Sequence, residues 1–139
     1  MIRISPARRP AIAVLLALVW AAPVAAEIPP IGRVERITEG LIDTAIAYEI
    51  DRRCDSLEGR RLAGLAFLWS LEAHARSLGF SRAEIEAYID NREEKARLEA
   101  IARERLRNMG AVEGEWESYC AVGRAEIAKG SQIGRLLAD

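Results

Sequence analysis

The chain holds one histidine, two cysteines, five prolines and only 6% aromatic residues, and each shortage closes off some chemistry. One histidine and two cysteines do not fill a tetrahedral zinc site. The cysteines lie 66 positions apart, so the Cys-x-x-Cys arrangement of a thiol catalyst is missing. No apolar run reaches the ~20 residues that a spanning helix needs. The longest, Ala11 to Ala22, is shorter and meets Pro23. A basic excess is absent too. At a formal charge of −1 the chain lacks the cationic footprint that duplex nucleic acid demands. Gly-x-Ser-x-Gly, a phosphate loop, His-Glu-x-x-His and a calcium loop are likewise missing. No alternating strand pattern of useful length and no internal repeat is visible.

What is present begins with an export leader. Arg3, Arg8 and Arg9 precede the apolar run with no acid among them, and Val24-Ala25-Ala26 offers small residues at a peptidase site. Cleavage is expected after Ala26, through the general secretory route, because Pro10 follows Arg8-Arg9 and the rest of a twin-arginine motif is missing. No cysteine stands near the cut to carry a lipid. Residues 1–26 are therefore read as a signal peptide, 27–36 as an irregular leader rich in proline, and 37–139 as a single domain in the periplasm or outside the cell. Losing three arginines and no acid moves the formal charge from −1 to −4. In an oxidising compartment, Cys54 and Cys120 should pair. The alternative, a redox pair, suits their spacing poorly.

Helical periodicity fills the rest. Leu41, Ile42, Ala45, Ile46 and Ile50 recur at three-and-four spacing from Thr38, and Cys54 continues their face. Asp55-Ser56 can cap a second helix, in which Leu62, Leu65, Ala66, Leu68, Trp69 and Leu71 leave few polar sides, so it is read as the central one. Leu78-Gly79-Phe80 is a helix stop. Ser81 to Glu84 forms a capping box that starts a third helix with Ile85, Tyr88 and Ile89 inward. Asn91-Arg92-Glu93-Glu94 restarts the chain as a fourth helix to Met109, burying Leu98, Ile101, Ala102, Leu106 and Met109. The pairs Glu93/Arg97 and Glu99/Arg103 support its outer face. After a loop at Gly110–Gly114, the last long helix runs from Glu115 to Lys129 with Trp116, Cys120, Gly123 and Ile127 on one side, and Gly130 stops it.

The fold class expected is all-α: a small irregular bundle of four to five helices, one disulfide joining the first and last long ones. Trp69 and Trp116 would fill the core, and Gly64 and Gly123 would let helices approach closely.

No catalytic, cofactor-binding or metal-ligating residue can be nominated. His74 has no carboxylate one turn away, only Ser70 and Leu78. Arg52, Arg53, Arg60 and Arg61 are the densest basic cluster, interleaved with Asp51, Asp55 and Glu58, which favours local neutralisation over an anion site. In the tail, Ile133, Leu136 and Leu137 follow a helix stop and either dock on the core or contact a partner.

The mature chain also resembles a family of short exported bacterial proteins of unknown function. The resemblance is carried by Ala45-Ile46-Ala47-Tyr48-Glu49-Ile50 with Cys54-Asp55-Ser56, by Leu78-Gly79-Phe80-Ser81 with Ala83 to Tyr88, and by Tyr119 to Ile127 with Gly130 to Leu137. It implies an exported helical domain with two paired cysteines, and no activity to transfer. The functional expectation is a non-enzymatic module that binds an envelope protein or another envelope component. Its competitor is a small envelope hydrolase built from Glu or Asp with His74 assisting.

Overall fold

The computed structural model describes residues 28–139. The expected signal peptide and its cleavage site lie outside the described residues. A 3-10 turn, Ile31–Arg33, leads into α1 (Glu35–Arg53), followed by the two-residue strand β1 (Glu58–Gly59). Then come α2 (Arg61–Ser77), α3 (Arg82–Ile89), α4 (Arg92–Asn108), α5 (Trp116–Lys129), the single turn α6 (Gln132–Arg135) and strand β2 (Leu137–Ala138). The class is all-α, as the sequence pattern requires.

Helix α1 begins three residues before Thr38. The Thr38 hydroxyl donates back to the Val34 and Glu35 carbonyls, so Thr38 belongs to the first turn and is no cap. This helix is the hub, packed against α2, α4, α5 and α6, and it buries Ile37, Gly40, Ile42, Ile46, Ala47 and Ile50. Leu98, Ala102 and Leu106 of α4, Tyr119, Cys120 and Val122 of α5, and Leu57, Ala111, Ile133, Leu136 and Leu137 join the main core. Cys54 and Cys120 are bonded, tying the end of α1 to α5. A smaller cluster joins Ile37, Ala75 and Ile85 to Ile31, Val34, Phe80 and Tyr88.

Between α1 and α2 the expectation fails. Asp55-Ser56 caps nothing; α2 starts only at Arg61. Long-range pairing takes over the intervening backbone: β1 runs antiparallel to β2, with Glu58 opposite Ala138 and Gly59 opposite Leu137. The Arg60 N–H donates to the Leu136 carbonyl, and the Gly59 N–H to the Asp51 carboxylate at 2.7 Å. Leu57 is driven inside by the same link.

Helix ends follow local chemistry. At the end of α2, Gly79 takes φ 97°, its N–H donates to the Arg76 carbonyl, and the Phe80 N–H reaches the Ala75 carbonyl, which is the Schellman arrangement. Ser81 accepts from the Glu84 N–H while the Glu84 carboxylate accepts from the Ser81 N–H, closing the capping box. Asn91 accepts from the Glu94 N–H and enforces the break before α4. Glu94 is then free to take Arg97, so the pair is Glu94–Arg97 and not Glu93–Arg97. Glu99 and Arg103 do face each other, at 4.0 Å.

Three further expectations are corrected. Ile89 is exposed because α3 ends there and only Ile85 turns fully inward. Ile101 and Met109 of the expected α4 stripe are only half-buried. Gly64 meets nothing within 4 Å, whereas a Cβ on Gly123 would lie 2.4 Å from Leu57 Cδ1.

Candidate docking surface

Helix α2 is peripheral, packed chiefly against α1 and the adjoining α3 among the helices. Its inward side is narrow: Leu71 and Ala75 are buried and Phe67 half-buried, with Leu71 packed on Gly40 of α1. The remaining apolar residues face water. Leu62 is 84% exposed, Trp69 61% and Leu65 44%, with Ala66 and Ala73 exposed beside them. At about 100° per residue, positions 62, 65, 66, 69 and 73 form one stripe roughly opposite Leu71 and Ala75. This overturns two expectations: α2 is not the central helix, and Trp69 is not in the core. Trp116, at the exposed start of α5, is not there either. A sequence apolar on most sides marked α2 as unusual, but burial on most sides needs neighbours there, and α1 holds the central position.

The other nominated residues lie elsewhere. Ile133, Leu136 and Leu137 are 7%, 5% and 3% exposed and sit in the main core. They have no surface to offer, so the partner-contact reading of the tail is withdrawn in favour of docking on the protein's own core. Ser131 explains the path: it accepts from the Gly134 N–H and sets α6 against the end of α5. The disulfide is buried, with the Ser56 hydroxyl 3.3 Å from Cys54 Sγ and Arg124 donating to that hydroxyl. No thiolate-stabilising exposure accompanies it, which fits a structural link.

The basic cluster is dispersed. Arg53 pairs with Glu49 and lies over the Tyr119 ring, Arg52 lies over Tyr48, and Arg60 donates to the Arg135 carbonyl. Two open grooves of about 430 and 440 Å³ follow the α1–α4 seam, sharing Ala45, Tyr48, Lys95 and Glu99. His74 lines neither, and among the described residues its ring makes no hydrogen bond or ion pair with a carboxylate. Among the same residues no group of three His, Cys, Asp or Glu is arranged to hold a metal, and no helix is long and apolar enough to cross a membrane.

One carboxyl-rich corner is strongly shaped. Tyr88 donates to Glu94, which also takes Arg97. Burial, reinforced by the Glu94 hydrogen bond, pushes the Tyr88 phenol up to about 12. Arg97 holds the Glu94 carboxyl below its ordinary range. These groups tie α3 to α4 and the Ile31–Arg33 turn, a structural duty.

The fold is thus a disulfide-stapled helical bundle in which the outer apolar face of α2 is left uncovered by the described residues. The chain belongs to a family of unknown function, DUF5333, whose model matches residues 29–138. No curated protein and no solved structure matches it.

Proposed function

We propose that the protein is an exported, non-enzymatic binding module that docks through the outer stripe of α2. The carrying observation is that stripe itself: Leu62, Leu65, Ala66, Trp69 and Ala73 at helical spacing, turned away from α1. A contiguous apolar patch on a water-soluble domain costs solubility and marks an interaction site, and tryptophan is the residue type most enriched where binding energy concentrates. Export is supported by the leader-like residues 1–26 and by a disulfide consistent with an oxidising compartment. The hydrolase alternative has no such support, since His74 stands apart from both grooves and from any carboxylate partner among the described residues.

A photo-crosslinking amino acid placed at position 69 and expressed in an exporting host tests the docking face. A discrete adduct should form there, and none with the same group at Glu104 on the exposed side of α4. Equal, diffuse labelling at both positions would sink the reading. Amino-terminal sequencing of the exported chain should begin at Glu27.

A further inference from the structure

We propose that the partner this face fits is a second copy of the chain, held by antiparallel packing of α2 on α2 about a two-fold axis; this rests on the docking reading above. Four positions of the stripe follow coiled-coil spacing over 12 residues. Leu62 and Trp69 recur at seven, Ala66 and Ala73 recur at seven between them, and the steps alternate four and three. Large and small residues therefore alternate along these four positions, with Leu65 at one edge and Arg76 at the next step beyond Ala73.

That alternation selects one orientation. With the two-fold passing between positions 67 and 68, each Trp69 falls against the partner's Ala66 and each Leu62 against the partner's Ala73. Every layer then combines one large and one small side chain. A parallel pair would instead put Trp69 against Trp69 in one layer and Ala66 against Ala66 in the next, alternating collision with void. On one flank of the seam stand Ala63, Ser70 and Ser77, small enough for close backbone approach. A two-fold of this kind keeps like flanks together, and the other flank carries Leu65 beside Arg61 at the start of α2 and Glu72 near its end. Arg61 has no ion-pair partner among the described residues, and Glu72 makes only a 4.0 Å contact with Arg76. Antiparallel packing brings Arg61 of each copy alongside the partner's Glu72, making two symmetric opposite-charge contacts.

The interface is modest. Seventeen residues give a helix about 25 Å long, and one such face covers less than the ~800 Å² per partner of a standard interface. The dimer should accordingly be reversible and dependent on concentration.

Sedimentation velocity of the oxidised chain beginning at Glu27, over about 5 to 500 μM, should show monomer passing to dimer. Ala66→Glu places a carboxylate in the Trp69 layer on an exposed position, leaving the fold intact by circular dichroism and raising the midpoint at least ~tenfold. Arg61→Glu and Glu72→Arg should each weaken association several-fold, and the double variant should recover it. A chain that stays monomeric throughout, an Ala66→Glu variant that dimerises normally, or a charge swap without recovery overturns the proposal. A position-69 adduct to a different protein, or to lipid, from a monomeric chain would remove the self-pairing inference alone. Absence of any specific adduct would remove the docking reading beneath it.

Discussion

A methyl group added at three glycines should have three different consequences, because each glycine is small for a different reason. At Gly64 the new Cβ meets nothing within 4 Å, so Gly64→Ala removes only a helix penalty and should stabilise by up to about 1 kcal/mol. At Gly123 it would collide with Leu57 and Ile50 side chains, which can shift at a cost of roughly 1–3 kcal/mol. At Gly134 the obstacle is the Glu126 backbone, 2.1 Å from the Cβ position, which cannot rotate away, so Gly134→Ala should be the worst of the three. Urea midpoints of the three variants check the ranking. The charged residues divide by sign as well. Burial, with Glu39 nearby, raises the Asp43 carboxyl against the pull of Arg105. A raised carboxyl destabilises once pH climbs above its folded value and costs nothing below the ordinary 3.8. Asp43→Asn should therefore gain stability at pH 7, and the gain should fade on acidification. Glu126 runs the other way. Burial would raise its carboxyl, but hydrogen bonding from Lys129 and Ser131 outweighs it, so it is held low and supports the fold above the ordinary 4.5. Glu126→Gln should lose stability at neutral pH and converge with the parent as pH falls through the lowered value. Thermal unfolding from pH 3 to 8 distinguishes the two slopes.

Among the elements, α3 is the one that its cap must hold up. Eight residues are too few for a helix to persist on propensity, and only Ile85 is fully buried. The reciprocal Ser81–Glu84 bonds therefore count for a large share of its order. Ser81→Ala should cost about 1 kcal/mol, and amide exchange should accelerate across Arg82–Ile89 before it does in α4. This cap was legible in the residues, as were the stops at Gly79 and Gly130 and the restart at Asn91, because each is decided within four or five positions. Asp55-Ser56 misled for the complementary reason. The chain there is claimed by Leu136 and Leu137 and by the Asp51 carboxylate, and nothing near Ser56 announces a partner some eighty residues downstream. Helix α2 shows the same limit in a different form. Its composition revealed apolar residues on most sides, but which side meets α1 is a property of α1. The stripe left outside became visible only with the helices in place.

At the scale of the whole molecule, the cysteine pair was legible, since two thiols behind a leader-like amino terminus leave little else to expect, while the choice between the two readings of the tail was not. Leu136 and Leu137 read as apolar residues that either dock on the core or contact a partner; the fold uses them as the seal between β1, α1 and α5. The disulfide and this seal act on the same region from opposite ends of the chain. The bond joins positions 66 apart, and for a closed loop of this length the chain-entropy model gives about 4 kcal/mol, reduced by any structure remaining in the unfolded chain. A domain of this size has a net stability of only about 5–15 kcal/mol. Replacing Cys54 and Cys120 with alanine should therefore lower the denaturant midpoint severely, and reduction of the parent should do the same. Because Ser56 lies against both sulfurs and receives Arg124, the loss should not stay local: the chain from Cys54 to Arg60 should loosen, and the pairing of β1 with β2 should go with it. Amide exchange of the reduced chain should show protection lost first at Gly59 and Arg60, with α4 retained longest. If reduction leaves the unfolding free energy unchanged within about 1 kcal/mol, the bond is dispensable and the burial around α1 alone holds the bundle.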